Sequence, residues 1–356
     1  MDFAVPENIL KYLERFSGFL KKQLEPDVTK WYQEGFIPRN FYRKMGKEKW
    51  FGYRMEGGNI IKAPALQQAL LIERLAAVSP GVAVAILVHT DLGLTGLVNF
   101  GSKKLQQKYG PPALRGEQLF CLGNTEGRAG SDVAGIAMKA GKTNGGWILN
   151  GSKAYVTGGT NGDLAIVTAI TDPEAGRSHR MSMFLVDLSA DGITRKKLNK
   201  QVWIPSDLTR LQFSDVFVAD DHLLGQRGRG LQQVLTIFTN SRIPISALTL
   251  GTAKGAFELA LAHGRKRNAF GEKILSFQSK SFESADLYAE MEAARMLVLK
   301  ACWMSDRGDD FRLASSTAKY MSVKAARKIT TWAADLFGAA SVIFEHPIHK
   351  FPMDVW

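Results

Sequence analysis

Apolar residues recur at helical spacing toward both ends of the chain and at strand spacing in the middle, so hydrophobic patterning alone divides the sequence into three zones. Over residues 8–107 the period is helical. Ile9, Leu13, Phe16 and Leu20 share one face, and Ala65–Val78 is rich in Ala, Leu and Gln, with Pro64 suited to the first turn of that helix. Over residues 117–219 the pattern shortens to runs such as Leu164–Ile170 and 181–186, bounded by Gly, Asn, Asp and Pro. These predict strands of a small, mostly antiparallel sheet or barrel. From about Gly228 long amphipathic spans return, at 251–265, 281–306 and 311–337, and residues 231–243 would begin a C-terminal four-helix bundle. Helices, then a sheet, then helices predict an α+β protein with a helical domain over 1–115, a β domain over 116–221 and a helical bundle over 222–356.

Composition narrows the class. A chain of 356 residues that is 45% hydrophobic and 22% charged is an ordinary globular protein. The longest apolar run, 81–88, is far below the ~20 residues a spanning helix requires, and the first residues carry no signal-peptide pattern. The expectation is a soluble, cytoplasmic protein without a membrane span. Cys121 and Cys302 are far apart in sequence and form no CxxC pattern, which fits a reducing compartment and argues against a disulfide scaffold. His346 and His349 flank Pro347 with no carboxylate–histidine motif beside them, so they read as polar residues of an exposed loop, and no metal site is expected. The net charge of +12 is spread over short groups such as Arg195-Lys196-Lys197 and Arg265-Lys266-Arg267. It forms no single stripe of the kind that binds nucleic acid. A polyanionic small molecule such as coenzyme A suits that surface better.

Three segments carry chemistry. In Thr125-Glu126-Gly127-Arg128-Ala129-Gly130-Ser131-Asp132, small residues after a strand end let the backbone approach a ligand closely. In Lys153-Ala154-Tyr155-Val156-Thr157, strand alternation would set Tyr155 and Thr157 on one face, an aromatic to stack on a flat ring and a hydroxyl to bond to its edge. Arg267-Asn268-Ala269-Phe270-Gly271, ahead of a helix containing Gln278, offers a cation and an amide to a pyrophosphate. By contrast, Gly225-Gln226-Arg227-Gly228-Arg229-Gly230 links the β zone to a helix and lacks the parallel strand a dinucleotide fingerprint needs, so it reads as a turn. No P-loop, GxSxG elbow or HExxH motif is present.

In order and spacing these three elements resemble those of the flavin-dependent acyl-CoA dehydrogenases, and the resemblance runs from Met1-Asp2-Phe3 to Asp354. It implies a homotetramer of three-domain subunits binding FAD, and acyl-CoA oxidised to enoyl-CoA by α-proton abstraction with hydride transfer to flavin N5. An electron-transfer flavoprotein is the implied acceptor. Carried over by motif, Leu122, Asn124 and Thr125 would contact the flavin ring, Tyr155 would cover one ring face and Thr157 would bond near N5. Ser131 would meet the CoA or the flavin-adenine region, and Arg242 would border the CoA and acyl site. Arg267, Phe270 and Gln278 would reach the FAD of a neighbouring subunit, with Gly338 a further FAD contact. The chain departs from the family pattern at Gly127, where proline is usual, at Asn124, at Asp335 and 338–341, at 203–207 and at Met353.

The catalytic base departs most. The family's usual glutamate lies a few residues past the position of Trp356, and the alternative position used by branched-chain members is Ser241 here. A serine hydroxyl without an activating partner cannot take an α-carbon proton. Three explanations follow: a straight- or branched-chain enzyme whose glutamate lies beyond the supplied C-terminus, a base elsewhere in the chain, or a non-catalytic FAD or CoA binder. Asp91, in His89-Thr90-Asp91-Leu92-Gly93, lies on the helix that lines the family's acyl cavity, where a poorly solvated carboxylate suits proton transfer. The resemblance then points to the branch that oxidises ring-bearing, alicyclic acyl-CoAs. A structural role for Asp91, capping a helix or binding His89, is the competing expectation.

Overall fold

The computed structural model describes residues 4–355; Met1 to Phe3, where the resemblance begins, and Trp356 lie outside the described residues. The N-terminal zone builds α1 (Glu7–Gln23), α2 (Val28–Glu34), α3 (Arg39–Lys47), a hairpin of β1 (Tyr53–Glu56) and β2 (Asn59–Lys62), α4 (Ala65–Val78) and α5 (Pro80–Leu87). A π-helical turn (Val88–Leu94), α6 (Thr95–Phe100) and α7 (Lys103–Leu114) follow. The apolar face read from α1 is buried as expected, with Ile9, Leu13, Phe16 and Leu20 in the core. The hairpin corrects the all-helical reading of this zone. Gly57 and Gly58, both at positive φ, turn the chain between its two strands. Residues 80–100 form one helical stretch long and apolar enough to cross a membrane, but it is buried within the protein and serves as a core element.

The middle zone is one sheet of β3 (Phe120–Gly123), β4 (Lys139–Thr143), β5 (Gly146–Thr157), β6 (Leu164–Ile170), β7 (Met181–Asp187), β8 (Ile193–Lys197), β9 (Leu208–Ala219) and β10 (Leu223–Leu224). Its order is β10-β7-β6-β4-β5-β9-β8, mostly antiparallel, with β3 joining β6 in parallel. Every residue of β6 is buried, because helices cover one of its faces and the sheet's own curl covers the other.

The C-terminal zone is α8 (Gly230–Gly264), a small hairpin of β11 (Asn268–Ala269) and β12 (Glu272–Lys273), then α9 (Gln278–Asp306), α10 (Arg312–Phe337) and the short α11 (Lys350–Asp354). The spans 231–243 and 251–265 are one 35-residue helix that continues through Pro244. The zone therefore supplies three long helices, and α4 of the N-terminal zone takes the fourth place beside α8 and α9. Close approach there is permitted by glycine: a Cβ on Gly251 would stand 2.2 Å from the Glu73 carbonyl oxygen, and one on Gly255 2.3 Å from that of Ala77. His349 is buried against the Tyr32 ring, not exposed as its loop setting suggested, and it belongs to the packing between α11 and α2.

Candidate active site

Two segments of the β zone meet through a buried ion pair. Lys153 Nζ lies 2.7 Å from Glu126 Oε1 and also donates to the Asn124 carbonyl at 3.1 Å. The Glu126 carboxylate further accepts the N–H groups of Ala137 and Met138 at 2.7 and 3.0 Å. Burial pulls the Lys153 ammonium down to about 8 against the pull of Glu126. Ala154 N–H donates to the Thr125 carbonyl at 2.8 Å, so the Thr125 loop and the Tyr155 strand are joined at two adjacent points. Asn124 is buried, its side-chain oxygen accepting from the Thr168 hydroxyl at 2.8 Å. Polar satisfaction by Thr168 explains how an amide is accommodated at this buried position.

The expected alternation of 153–157 breaks at Tyr155. Lys153 and Ala154 are both buried, Tyr155 has φ +56° and is 60% exposed, and the register with β9 slips between Lys153 and Val156. A β-bulge thus turns the Tyr155 ring out to the surface, while Val156 enters the core and Thr157 is half-buried. Leu122 and Thr125 are half-buried beside this surface; Gly127 and Gly130 face open space, and Ser131 is exposed. An exposed aromatic face, hydroxyls and a small-residue turn fit a flat heteroaromatic group such as the ring of FAD.

The π-helical turn carrying Asp91 packs against both segments. A Cβ on Gly93 would stand 2.3 Å from Phe120 Cβ on β3, and a Cβ on Gly158, next to Thr157, would stand 3.5 Å from Val88. His89 faces β3 instead of Asp91, which corrects the structural expectation for that pair. Its Nδ1 accepts the Phe120 N–H at 3.1 Å and its Nε2 donates to the Ala113 carbonyl at 3.2 Å. Burial pushes the imidazole down to about 4, so it is neutral at pH 7.

Asp91 is 1% exposed and lines a cavity of about 170 Å³ with Tyr53, Lys62, Thr95, Asn240 and Ile243 among its walls. Lys62 Nζ, at the end of β2, lies 2.9 Å from Asp91 Oδ1, and the Thr90 hydroxyl donates to Oδ2 at 2.8 Å. Burial pulls the Lys62 ammonium down, but Asp91 and Tyr53 outweigh it, and its pKa is raised. The Tyr53 hydroxyl donates to the Thr90 carbonyl at 3.2 Å and shares a hydrogen bond with the Thr95 hydroxyl at 3.1 Å. Lys62 and Tyr53 were not singled out from sequence. Their signal was the short alternating run around the Gly57-Gly58 turn, which places both residues at one end of a two-stranded ribbon.

The remaining residues lie elsewhere. Arg242 does not enter the Asp91 cavity; it lines a groove of about 670 Å³ between α8 and α10, with Lys319, Tyr320 and Arg327. Ser241 bonds back to the Phe238 carbonyl of its own helix. Arg267 just before β11, Phe270 in the β11–β12 turn and Gln278 at the start of α9 are exposed, Phe270 at 98%, and Gly338 is exposed at the end of α10.

Family models for the N-terminal, middle and C-terminal domains of acyl-CoA dehydrogenase match residues 7–117, 121–216 and 228–355. A short-chain-specific acyl-CoA dehydrogenase of Megasphaera elsdenii is 30% identical over 99% of this chain and 94% of its own length. The structure of butyryl-CoA dehydrogenase from the same organism superposes with a TM-score of 0.93 at 30% identity, covering 100% of this chain and 94% of the other. A chain from a structural study of the electron transferring flavoprotein of Acidaminococcus fermentans superposes at 0.96 with 29% identity, again over 100% and 94%. With the three zones, the bulged aromatic strand and the buried carboxylate cavity in place, the chain belongs to the acyl-CoA dehydrogenase family of FAD-dependent oxidoreductases acting on CH–CH groups.

Proposed function

We propose that this enzyme oxidises a small, ring-bearing acyl-CoA, with Asp91 as the group that accepts the α-proton. The observation that carries this reading is the position of Asp91 as a buried carboxylate on the cavity wall. Asp306 also lines the cavity, but its carboxylate caps α4 by accepting the N–H groups of Ala65 and Leu66. The cavity volume of about 170 Å³ suits one six-membered ring, since a cavity of about 150 Å³ accommodates benzene. Bound FAD supplies the acceptor for the hydride leaving the β-carbon. Tyr155 and Thr157 orient that ring, while Leu122, Asn124 and Thr125 shape the backbone beside it. Arg267, Phe270 and Gln278 reach the FAD of a neighbouring subunit in a homotetramer, and Gly338 makes a further FAD contact. Ser131 and Arg242 contact the CoA portion, and an electron-transfer flavoprotein takes the electrons in the cytoplasm.

Asp91→Asn keeps the side chain's size and removes its ability to take a proton. Loss of a positioned base costs ~10²–10⁴-fold in rate. The anaerobic bleaching of the flavin by cyclohexane-carboxyl-CoA should slow by that factor with FAD content unchanged. One observation favours a second reading, a straight- or branched-chain substrate and a different base: Lys62 and Thr90 engage both oxygens of Asp91. Turnover that survives Asp91→Asn would remove Asp91 as the base, and bleaching by straight- or branched-chain thioesters but not by the cyclic one would establish that second reading.

A further inference from the structure

The Asp91 cavity is more polar than a hydrocarbon ring requires. Lys62, Asp91, Tyr53, Thr95 and Asn240 all line it, and the ion pair among them is electroneutral but rich in donors and acceptors. Tyr53, Thr95 and Asp91 are bonded within the protein, but a purely apolar acyl group seated there covers Lys62 and Asn240 while offering them no hydrogen bond. Lys62 is the member able to move: it ends β2 and its side chain is a third exposed, whereas Asp91 is fixed on the π-helical turn by Thr90.

We propose that the acyl group of the substrate carries a hydroxyl on its ring, and that Lys62 is the residue that selects it. The inference rests on the ring-bearing acyl-CoA reading above and adds the chemistry of the substituent. A hydroxyl oxygen accepts a further N–H of the Lys62 ammonium, which keeps another N–H on Asp91 Oδ1, and a remaining lone pair of that carboxylate takes the α-proton. The hydroxyl's own proton goes to the Asn240 side-chain oxygen or the Tyr53 oxygen, so no charge is added. A carboxylate substituent would also pair with Lys62, but it would place a second negative charge beside Asp91 in a poorly solvated cavity. An ammonium substituent would meet Lys62 with like charge. The neutral group with one donor and two acceptor sites matches the lining best.

The test uses the FAD-loaded enzyme with cyclohexane-carboxyl-CoA and its ring-hydroxylated analogues. Binding is read from the perturbed flavin spectrum and turnover from anaerobic bleaching. The hydroxylated thioester should bind and turn over about tenfold better than the plain ring, the worth of one charge-assisted hydrogen bond. In Lys62→Met that ratio should fall to about one, and in Lys62→Arg it should be partly restored. An equal or lower preference for the hydroxylated ring in the unmodified enzyme overturns the inference, as does a preference that survives Lys62→Met. If neither thioester bleaches the flavin, the ring-bearing substrate reading fails by itself, and the two binding ratios still decide whether Lys62 selects a hydroxyl.

Discussion

Lys153 and Glu126 form an ion pair of 2.7 Å in which the lysine side chain has no exposure and the glutamate about a tenth, and the pair joins the Thr125 loop to the Tyr155 strand. Breaking a buried pair by removing one partner leaves an uncompensated charge and costs ~3–5 kcal/mol. Lys153→Met should destabilise the protein by that order and also lower the FAD retained on purification, because the Asn124 carbonyl loses its donor as well. Denaturant unfolding and flavin content measure the two effects.

The same pair has a pH signature. The Lys153 ammonium, ordinarily at 10.5, is held at about 8 in the folded protein. Between about pH 8 and 10.5 the unfolded chain therefore binds more protons at this site, and the contribution of Lys153 to stability rises with pH across that window. Lys200 and Lys350 are also lowered to about 8, so only the difference between the unmodified protein and Lys153→Met isolates the effect. That difference should widen from pH 8 to pH 10. A constant gap would mean that Lys153 keeps its ordinary affinity for protons.

Tyr155 holds a left-handed backbone, φ +56°, that costs a non-glycine residue roughly 1–2 kcal/mol. Tyr155→Gly relieves this strain but adds about 0.5–1 kcal/mol of unfolded-state entropy, so the flavin-free protein should change by no more than about 1 kcal/mol. Flavin affinity should fall ~3–10-fold through loss of the stacking face, and Tyr155→Phe should restore it. Titration of flavin-free protein with FAD separates these outcomes. A Tyr155→Gly protein that binds FAD normally would remove Tyr155 from the flavin surface.

Much of this was legible in the sequence because short motifs fix local backbone and composition fixes zones. The Thr125 and Tyr155 segments announced themselves by small residues and an aromatic–hydroxyl pair, and the helical ends by their periodicity. The β1–β2 hairpin was missed because its strands are only four residues each and lie inside a long helical stretch, although Gly57-Gly58 is a hairpin signal. The spans 231–243 and 251–265 read separately in the sequence, yet packing of α8 against α4 and α10 carries one helix through both and through Pro244, which lacks the N–H a helix interior uses. The partner of Asp91 was not legible at all. Lys62 is 29 residues away in sequence and meets Asp91 only because the hairpin folds back over the π-helical turn.

Asp354 tests whether α11 is a fastening point for the N-terminal zone. Its carboxylate accepts from the Tyr32 hydroxyl on α2 and from the Trp203 N–H, and Tyr32 in turn accepts the Gly81 N–H at the start of α5. Removing the acceptor leaves two buried donors unpaired at about 1–3 kcal/mol each, so Asp354→Ala should cost roughly 2–6 kcal/mol. Burial raises the carboxyl to about 6 from its ordinary 3.8, and the hydrogen bonds from Tyr32 and Trp203 with Lys200 and Lys350 only partly oppose it. From about pH 4 to 6 the unfolded chain has released this proton while the folded protein keeps it. Stability from Asp354 therefore falls as pH rises through that window and is level above it. Asp354→Asn removes the titration and keeps the shape, so the unmodified protein should lose stability relative to this variant between pH 4 and pH 6. Parallel melting curves for the two proteins over that range would show Asp354 to be an ordinary exposed carboxylate instead, with α11 held by its apolar contacts alone.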